Sequence, residues 1–201
     1  DTSVRMAAER MSASRYSSIL VVDAGKVVGI WTERDALAVP LDNPQALERP
    51  IRLVMSAPVI SATAETSVEE AATRLKETGI RHLVVTDARG VPCGLISQTD
   101  LVSHQGAEAY LRLVEIAAIM RPVPPTLPAT LTVSEAAARM RQQRWDAVVV
   151  ASDKDEKGIF TERDVVRLIG LGATRVTLSE AATYPLITIP QESTVIDARS
   201  L

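Results

Sequence analysis

Aromatic side chains are nearly missing from this sequence: one Phe, two Trp and three Tyr are scattered among 201 residues. That scarcity argues against a base-stacking platform for nucleic acid and leaves the core to Val, Ile, Leu, Ala and Met. Cysteine is rarer still. A lone Cys93 excludes an intrachain disulfide framework and a cysteine-based zinc site, and it suits a reducing cytoplasm. No run of eighteen apolar residues occurs, and residues 1–10 are polar rather than a basic segment leading into an apolar stretch. Neither a membrane span nor a secretion signal is expected in this stretch. Excess positive charge is also lacking: the formal net charge is -3, which gives no footprint for a phosphate backbone.

What the chain does have is repetition. With 46% apolar and 23% charged residues it has the composition of one or two compact globular domains. Three segments end alike: Gly29-Ile30-Trp31-Thr32-Glu33-Arg34-Asp35, Gly94-Leu95-Ile96-Ser97-Gln98-Thr99-Asp100 and Gly158-Ile159-Phe160-Thr161-Glu162-Arg163-Asp164. Their aspartates stand 65 and 64 residues apart. Upstream, Val4, Val68, Val133 and Val195 are each followed three positions later by Ala7, Ala71, Ala136 and Ala198. Such self-similarity at a fixed period marks a repeat architecture.

Local signals agree within each repeat. Capping hydroxyls and early carboxylates (Thr66-Ser67-Val68-Glu69-Glu70; Leu131-Thr132-Val133-Ser134-Glu135) precede apolar residues at helical spacing. The β-branched runs Ile19–Val22, Leu83–Val85 and Ala147–Val150 follow, each leading through a turn into a second strand near the motif glycine. Helical spacing returns after the motif aspartate. The expected unit is strand, helix, hairpin, helix: an α/β (α+β) fold of small three-stranded sheets packed by helices.

This order, the Val-x-x-Ala helix and the Gly-h-x-[Thr/Ser]-x-x-Asp ending resemble CBS domains, which pair into pseudo-twofold Bateman modules and sense adenosine-containing ligands. The resemblance covers nearly the whole chain. Repeat two spans about Val54 to Gln105, led by Pro58-Val59-Ile60-Ser61, and repeat three about Ile119 to Gly170. Repeat one starts at its first helix; repeat four offers a strand, Pro185-Leu186-Ile187-Thr188-Ile189, and a helix start at residues 193–201. The expected organisation is a first module at 1–105, a linker helix at 106–118 and a second module at 119–201, cut from a longer parent. The two partial repeats completing one another is the alternative. Between repeats one and two, a loop with a helical piece around Gln45 to Glu48 is expected.

A hydroxyl at the end of a strand can donate to a phosphate oxygen, and an Asp three residues on can accept from both ribose hydroxyls; amides at the helix start favour an anion. The resemblance therefore implies Thr32 and Asp35, Ser97 and Asp100, and Thr161 and Asp164 as phosphate and ribose contacts, in a cleft between paired repeats. Adenine would lie against Val59-Ile60-Ser61 or Val123-Pro124-Pro125. Arg81-His82 stand where family members place phosphate contacts, whereas repeat three has Asp146-Ala147 there and repeat one Ser17-Ser18. An aspartate repels phosphate, so repeat three suits S-adenosylmethionine or no ligand. The same Thr/Ser-x-x-Asp spacing is also a plain helix cap.

The implied function is a regulatory sensor of AMP, ADP, ATP or S-adenosylmethionine, homodimeric, acting on an effector domain of the parent. A structural dimerisation or docking module without nucleotide is the alternative. Neither catalytic nor metal residues are expected, because no cluster of acid, base and nucleophile stands apart from the repeats. Gly170-Leu171-Gly172 follows a helix and is expected to be its C-terminal stop rather than a dinucleotide fingerprint. Asp153, Asp155 and Glu156 form a solvated turn, Cys93 a small buried thiol, and Trp31 and Phe160 equivalent packing residues.

Overall fold

The computed structural model describes residues 2–98, 100–101, 115–152 and 156–200. Helix α1 (Val4–Ser14) starts where the Ser3 hydroxyl accepts from the Met6 amide and stops where Arg15 turns to φ 54°. Strands β1 (Ser18–Asp23) and β2 (Lys26–Thr32) pair antiparallel around Ala24-Gly25. Both turn residues have positive φ, the geometry that matches hairpin twist. Then come α2 (Glu33–Ala36), α3 (Pro44–Leu47) and a 3-10 turn at Ile51–Leu53.

Repeat two contains β3 (Ser61–Thr63), α4 (Val68–Thr78), β4 (His82–Thr86) and β5 (Pro92–Ser97). Repeat three contains β6 (Thr126–Pro128), α5 (Val133–Gln143), β7 (Ala147–Ala151), β8 (Lys157–Thr161) and α6 (Glu162–Leu171). Helices α7 (Leu178–Ala181) and α8 (Val195–Arg199) follow. In both complete repeats the leading strand runs parallel to the first hairpin strand, and the hairpin is antiparallel. These are the expected small three-stranded sheets; repeat one has two strands.

The leading strands sit further along the chain than expected. Pairing begins at Ser61 and Thr126, while Ile60 and Pro125 only lend a carbonyl to the amides of Val84 and Val149. Pro58, Pro124 and Pro125 have no amide to donate, which moves the ladder past them. Residues 185–189 form no strand, and the last helix is confined to Val195–Arg199.

One compact unit comprises residues 1–58 and 123–186. Repeats one and three thus share one core, built from Val4, Ala7, Met11 and Trp31 on one side and Val133, Met140, Phe160 and Ile169 on the other. Helix α6 lies so close to α1 that a Cβ on Gly170 would come 3.0 Å from the Glu9 backbone. Gly172, at φ 68°, ends α6 as expected. The expected boundary at 105/106 is not that of the compact units, because the apolar faces of α1 and α6 bury against each other.

The second unit comprises residues 59–122 and 187–201. Its core is small: Ala62, Ala71, Leu75 and Leu83, with Ile80 and Leu101 against it. The Ile116 amide donates to Ser193 O at 2.9 Å, tying the 3-10 turn at Ile116–Ala118 to the approach to α8. The rest of the expected linker helix, 106–114, lies outside the described residues, as do Asp153 and Asp155. Cys93 is exposed, contrary to expectation: β5 is an edge strand in which both faces are open around residues 93–95, because the core of this unit is too small to cover them. Among the described residues no helix is long and apolar enough to cross a membrane.

Trp31 and Phe160 are fully buried at equivalent positions, and the Trp31 indole nitrogen has no hydrogen-bond partner. In Trp31→Phe, the lost ring volume is offset by removal of an unsatisfied donor. Chemical denaturation should therefore find a change within about 1 kcal/mol; a loss above about 3 kcal/mol would show that the indole nitrogen is satisfied in solution.

Candidate functional site

Each motif folds into one strand-to-helix corner. In repeat one, the Thr32 amide and hydroxyl donate to Asp35 Oδ2 at 2.8 and 2.7 Å, and the Thr32 hydroxyl accepts from the Asp35 amide at 3.3 Å. Repeat two repeats this with Ser97 and Asp100 at 2.8, 2.7 and 3.2 Å. In repeat three, Thr161 donates twice to Asp164 Oδ2, at 2.9 and 2.8 Å. All three predicted pairs meet, and what they do to each other is cap a helix. The cap also fixes each carboxylate by one oxygen and leaves the other to its surroundings.

That second oxygen differs between repeats. Asp35 Oδ1 accepts from the Ser56 hydroxyl at 2.8 Å. Asp164 Oδ1 accepts from Arg167 Nη2 at 3.2 Å, and the same nitrogen donates to Ala181 O at 3.0 Å. Neither Ser56 nor Arg167 is marked by the motif.

The residues between hydroxyl and aspartate are also engaged. Arg34 Nε lies 3.1 Å from Glu162 Oε1, and Arg163 Nε lies 2.9 Å from Glu33 Oε1. Each motif thus gives its Glu to the other motif's Arg. The Glu162 side chain is 3% exposed and that of Glu33 11%. The signal for this crossed pair was present in sequence: repeats one and three share Thr-Glu-Arg-Asp, while repeat two has Ser-Gln-Thr-Asp.

At the corner of repeat two, the Gln98 amide donates to Arg81 O at 3.2 Å, and His82 pairs with Ser97 across the hairpin. Arg81 and His82, both half-buried, are therefore brought to the Ser97-Asp100 motif. Equivalent bonds run from Glu33 to Ser17 O and from Glu162 to Asp146 O, which bears out the alignment of Arg81 with Ser17 and Asp146. Val59 and Ile60 precede β3, and β4 stands between β3 and β5, so the leading strand runs one strand over from the motif.

Repeat one adds a cavity of about 660 Å³ along β1, lined by Arg10, Ile19, Val21, Val28, Arg52 and Met55 among others. It lies within the size range of ligand pockets. Met55, which lines this cavity, packs over Gly29, and its neighbour Ser56 holds Asp35; Thr32, Asp35 and Ser56 themselves do not line it. Among the described residues, no group of three His, Cys, Asp or Glu could hold a metal ion.

Comparison with known proteins follows the same repeats. Over 174 residues the chain is 22% identical to protein MJ1404 of Methanocaldococcus jannaschii, covering 80% of this chain and 41% of that one. It is 32% identical over 105 residues to inosine-5'-monophosphate dehydrogenase of Nitrosopumilus maritimus, covering 52% of this chain and 21% of that one. The chain thus spans less than half the length of either. The crystal structure of protein MJ1225 of Methanocaldococcus jannaschii matches with a TM-score of 0.77 at 20% identity, covering 99% of this chain and 82% of that one. A Burkholderia ambifaria protein with CBS domains matches with a TM-score of 0.50 at 33% identity, covering 54% and 79%. Residues 1–42, 51–106 and 116–171 match the CBS domain family, repeat by repeat, and the chain belongs to that family.

Proposed function

We propose that this chain is a non-catalytic regulatory module that binds an adenosine-type ligand, AMP, ADP, ATP or S-adenosylmethionine, and passes the binding event to an effector. The observation that carries this is the corner of repeat one. Asp35 is fixed through Oδ2 by Thr32, while Oδ1 accepts from the rotatable hydroxyl of Ser56, the residue after Met55 in the wall of the cavity along β1. A carboxylate so held accepts from the two hydroxyls of a ribose without having to be organised first. The cavity's Ile19, Val21 and Val28 suit the faces of a purine, and Arg10 and Arg52 suit an anionic end.

Repeat two supplies the second proposed contact set: Asp100 for ribose, and Ser97, Arg81 and His82 for phosphate. Ligand can shift the module only by binding two of its conformations unequally. We place it in the cytoplasm as a homodimer acting on an attached or partner effector.

Thermal unfolding against AMP, ADP, ATP and S-adenosylmethionine tests the reading. A ligand at a hundred times its Kd should stabilise the protein by about 2.7 kcal/mol. Asp35→Ala and Asp100→Ala should each weaken binding at their own site by about 10- to 100-fold, the worth of hydrogen bonds to a charged acceptor. No stabilisation by any ligand would favour a docking module, and unchanged affinity in both variants would sink the ribose assignment.

A further inference from the structure

We propose that Arg167 decides which motif of the first unit takes the nucleoside: it closes Asp164 and leaves Asp35 as the unit's ribose acceptor. The inference rests on the reading above and sharpens it from three equivalent motifs to a selected one.

The two aspartates are held identically through Oδ2 and differently through Oδ1. At Asp35 the partner is neutral. The Ser56 hydroxyl turns aside by rotation about one bond, and a ribose hydroxyl replaces it like for like. At Asp164 the partner is a guanidinium, anchored a second time by Ala181 O. A ribose hydroxyl that displaces it exchanges an ion pair for a hydrogen bond from a neutral donor and leaves the Ala181 carbonyl to find another donor. The position three residues beyond the motif aspartate is Ala38 in repeat one and Ser103 in repeat two. Neither residue carries a guanidinium, so an arginine at this position is a property of repeat three alone. Asp146 points the same way: it occupies the place of Arg81, and it adds negative charge where a phosphate would approach.

Isothermal titration with S-adenosylmethionine, which brings no phosphate to Asp146, reads the number of sites per chain, and titration with AMP checks the unsubstituted chain. Arg167→Ala should gain one site relative to the unsubstituted chain, Asp35→Ala should lose one, and the double variant should match the unsubstituted chain. Arg167→Met keeps the aliphatic stem while removing the donors, so it should gain the site even if shortening the stem disturbs the fold. An unchanged site number in both Arg167 variants overturns the inference, as does retention of every site in Asp35→Ala; the adenosine reading then stands. No binding by the unsubstituted chain or by any variant overturns the adenosine reading itself.

Discussion

Gly158→Ala should destabilise the first unit by about 3 kcal/mol, whereas Gly94→Ala, at the same motif position in repeat two, should stay within about 0.5 kcal/mol of the starting protein. The difference lies in what crosses the glycine. After α7 the chain returns over β8: the Ile159 amide donates to Thr183 O at 3.0 Å, the Thr183 amide donates to Ile159 O at 2.9 Å, and the Leu186 amide donates to Lys157 O at 2.7 Å. These bonds clamp Thr183 to Leu186 directly above residue 158. A Cβ there would lie 2.8 Å from Thr183 O and 2.7 Å from the Tyr184 ring. Backbone held by three hydrogen bonds cannot recede without losing some of them, so the strain is not relieved cheaply.

Gly94 has no such neighbour, since the nearest atom to an added Cβ is Val85 Cβ at 3.7 Å, an ordinary contact. Gly29 falls between: the crossing element there is the Met55 side chain, whose unbranched thioether can swing aside. Its alanine variant should cost about 1 kcal/mol. Trp31 and Trp145 both belong to the first unit, so tryptophan fluorescence during denaturation reports the Gly158 and Gly29 variants, and circular dichroism reports Gly94. A Gly158 variant no less stable than the Gly94 variant would show that the Thr183 crossing is not clamped in solution.

The motif glycine also shows what the sequence could and could not disclose. Its recurrence was legible, as were the hairpins and the helix caps, because those depend on residues within a few positions of each other. Ser67 and Thr132 cap α4 and α5 as their spacing predicts, and hydrogen bonds from the Thr132 amide and hydroxyl hold the Glu135 carboxyl below its ordinary range. Why the glycine is needed in repeats one and three was not legible, since Thr183 and Met55 come from more than twenty residues away. The same holds for Ser56 on Asp35. Distance in sequence also explains the compact units. Spacing along the chain groups repeat one with repeat two, but helix packing is decided by which apolar faces bury each other, and α1 buries against α6. The leading strands were placed too early because their apolar pattern begins before their prolines allow a ladder.

Arg34→Ala should cost about 2–3 kcal/mol, well above the median for an ion pair with one exposed partner. The reason lies with the partner left behind. Glu162 is almost wholly buried, and Arg34 Nε at 3.1 Å is a principal counter-charge; removing it leaves a carboxylate in the core with part of its compensation gone. The estimate sits below the full cost of breaking a buried pair because Arg34 is itself 46% exposed and Glu162 keeps a further interaction. Glu162→Gln removes the charge as well as the pair, so it should cost less than Arg34→Ala, about 1 kcal/mol. Arg163→Ala should be milder too, since Arg163 is 64% exposed and Glu33 less buried than Glu162. A double-mutant cycle on Arg34 and Glu162, followed by tryptophan fluorescence in urea, should give a coupling of about 1–2 kcal/mol. Because these residues lie inside the two motifs, a coupling of that size would make the corners of repeats one and three one mechanical unit: moving Asp35 on ligand binding pulls on Glu162 through Arg34. Additive effects of the two substitutions would instead leave the corners mechanically separate, joined only by the shared apolar core.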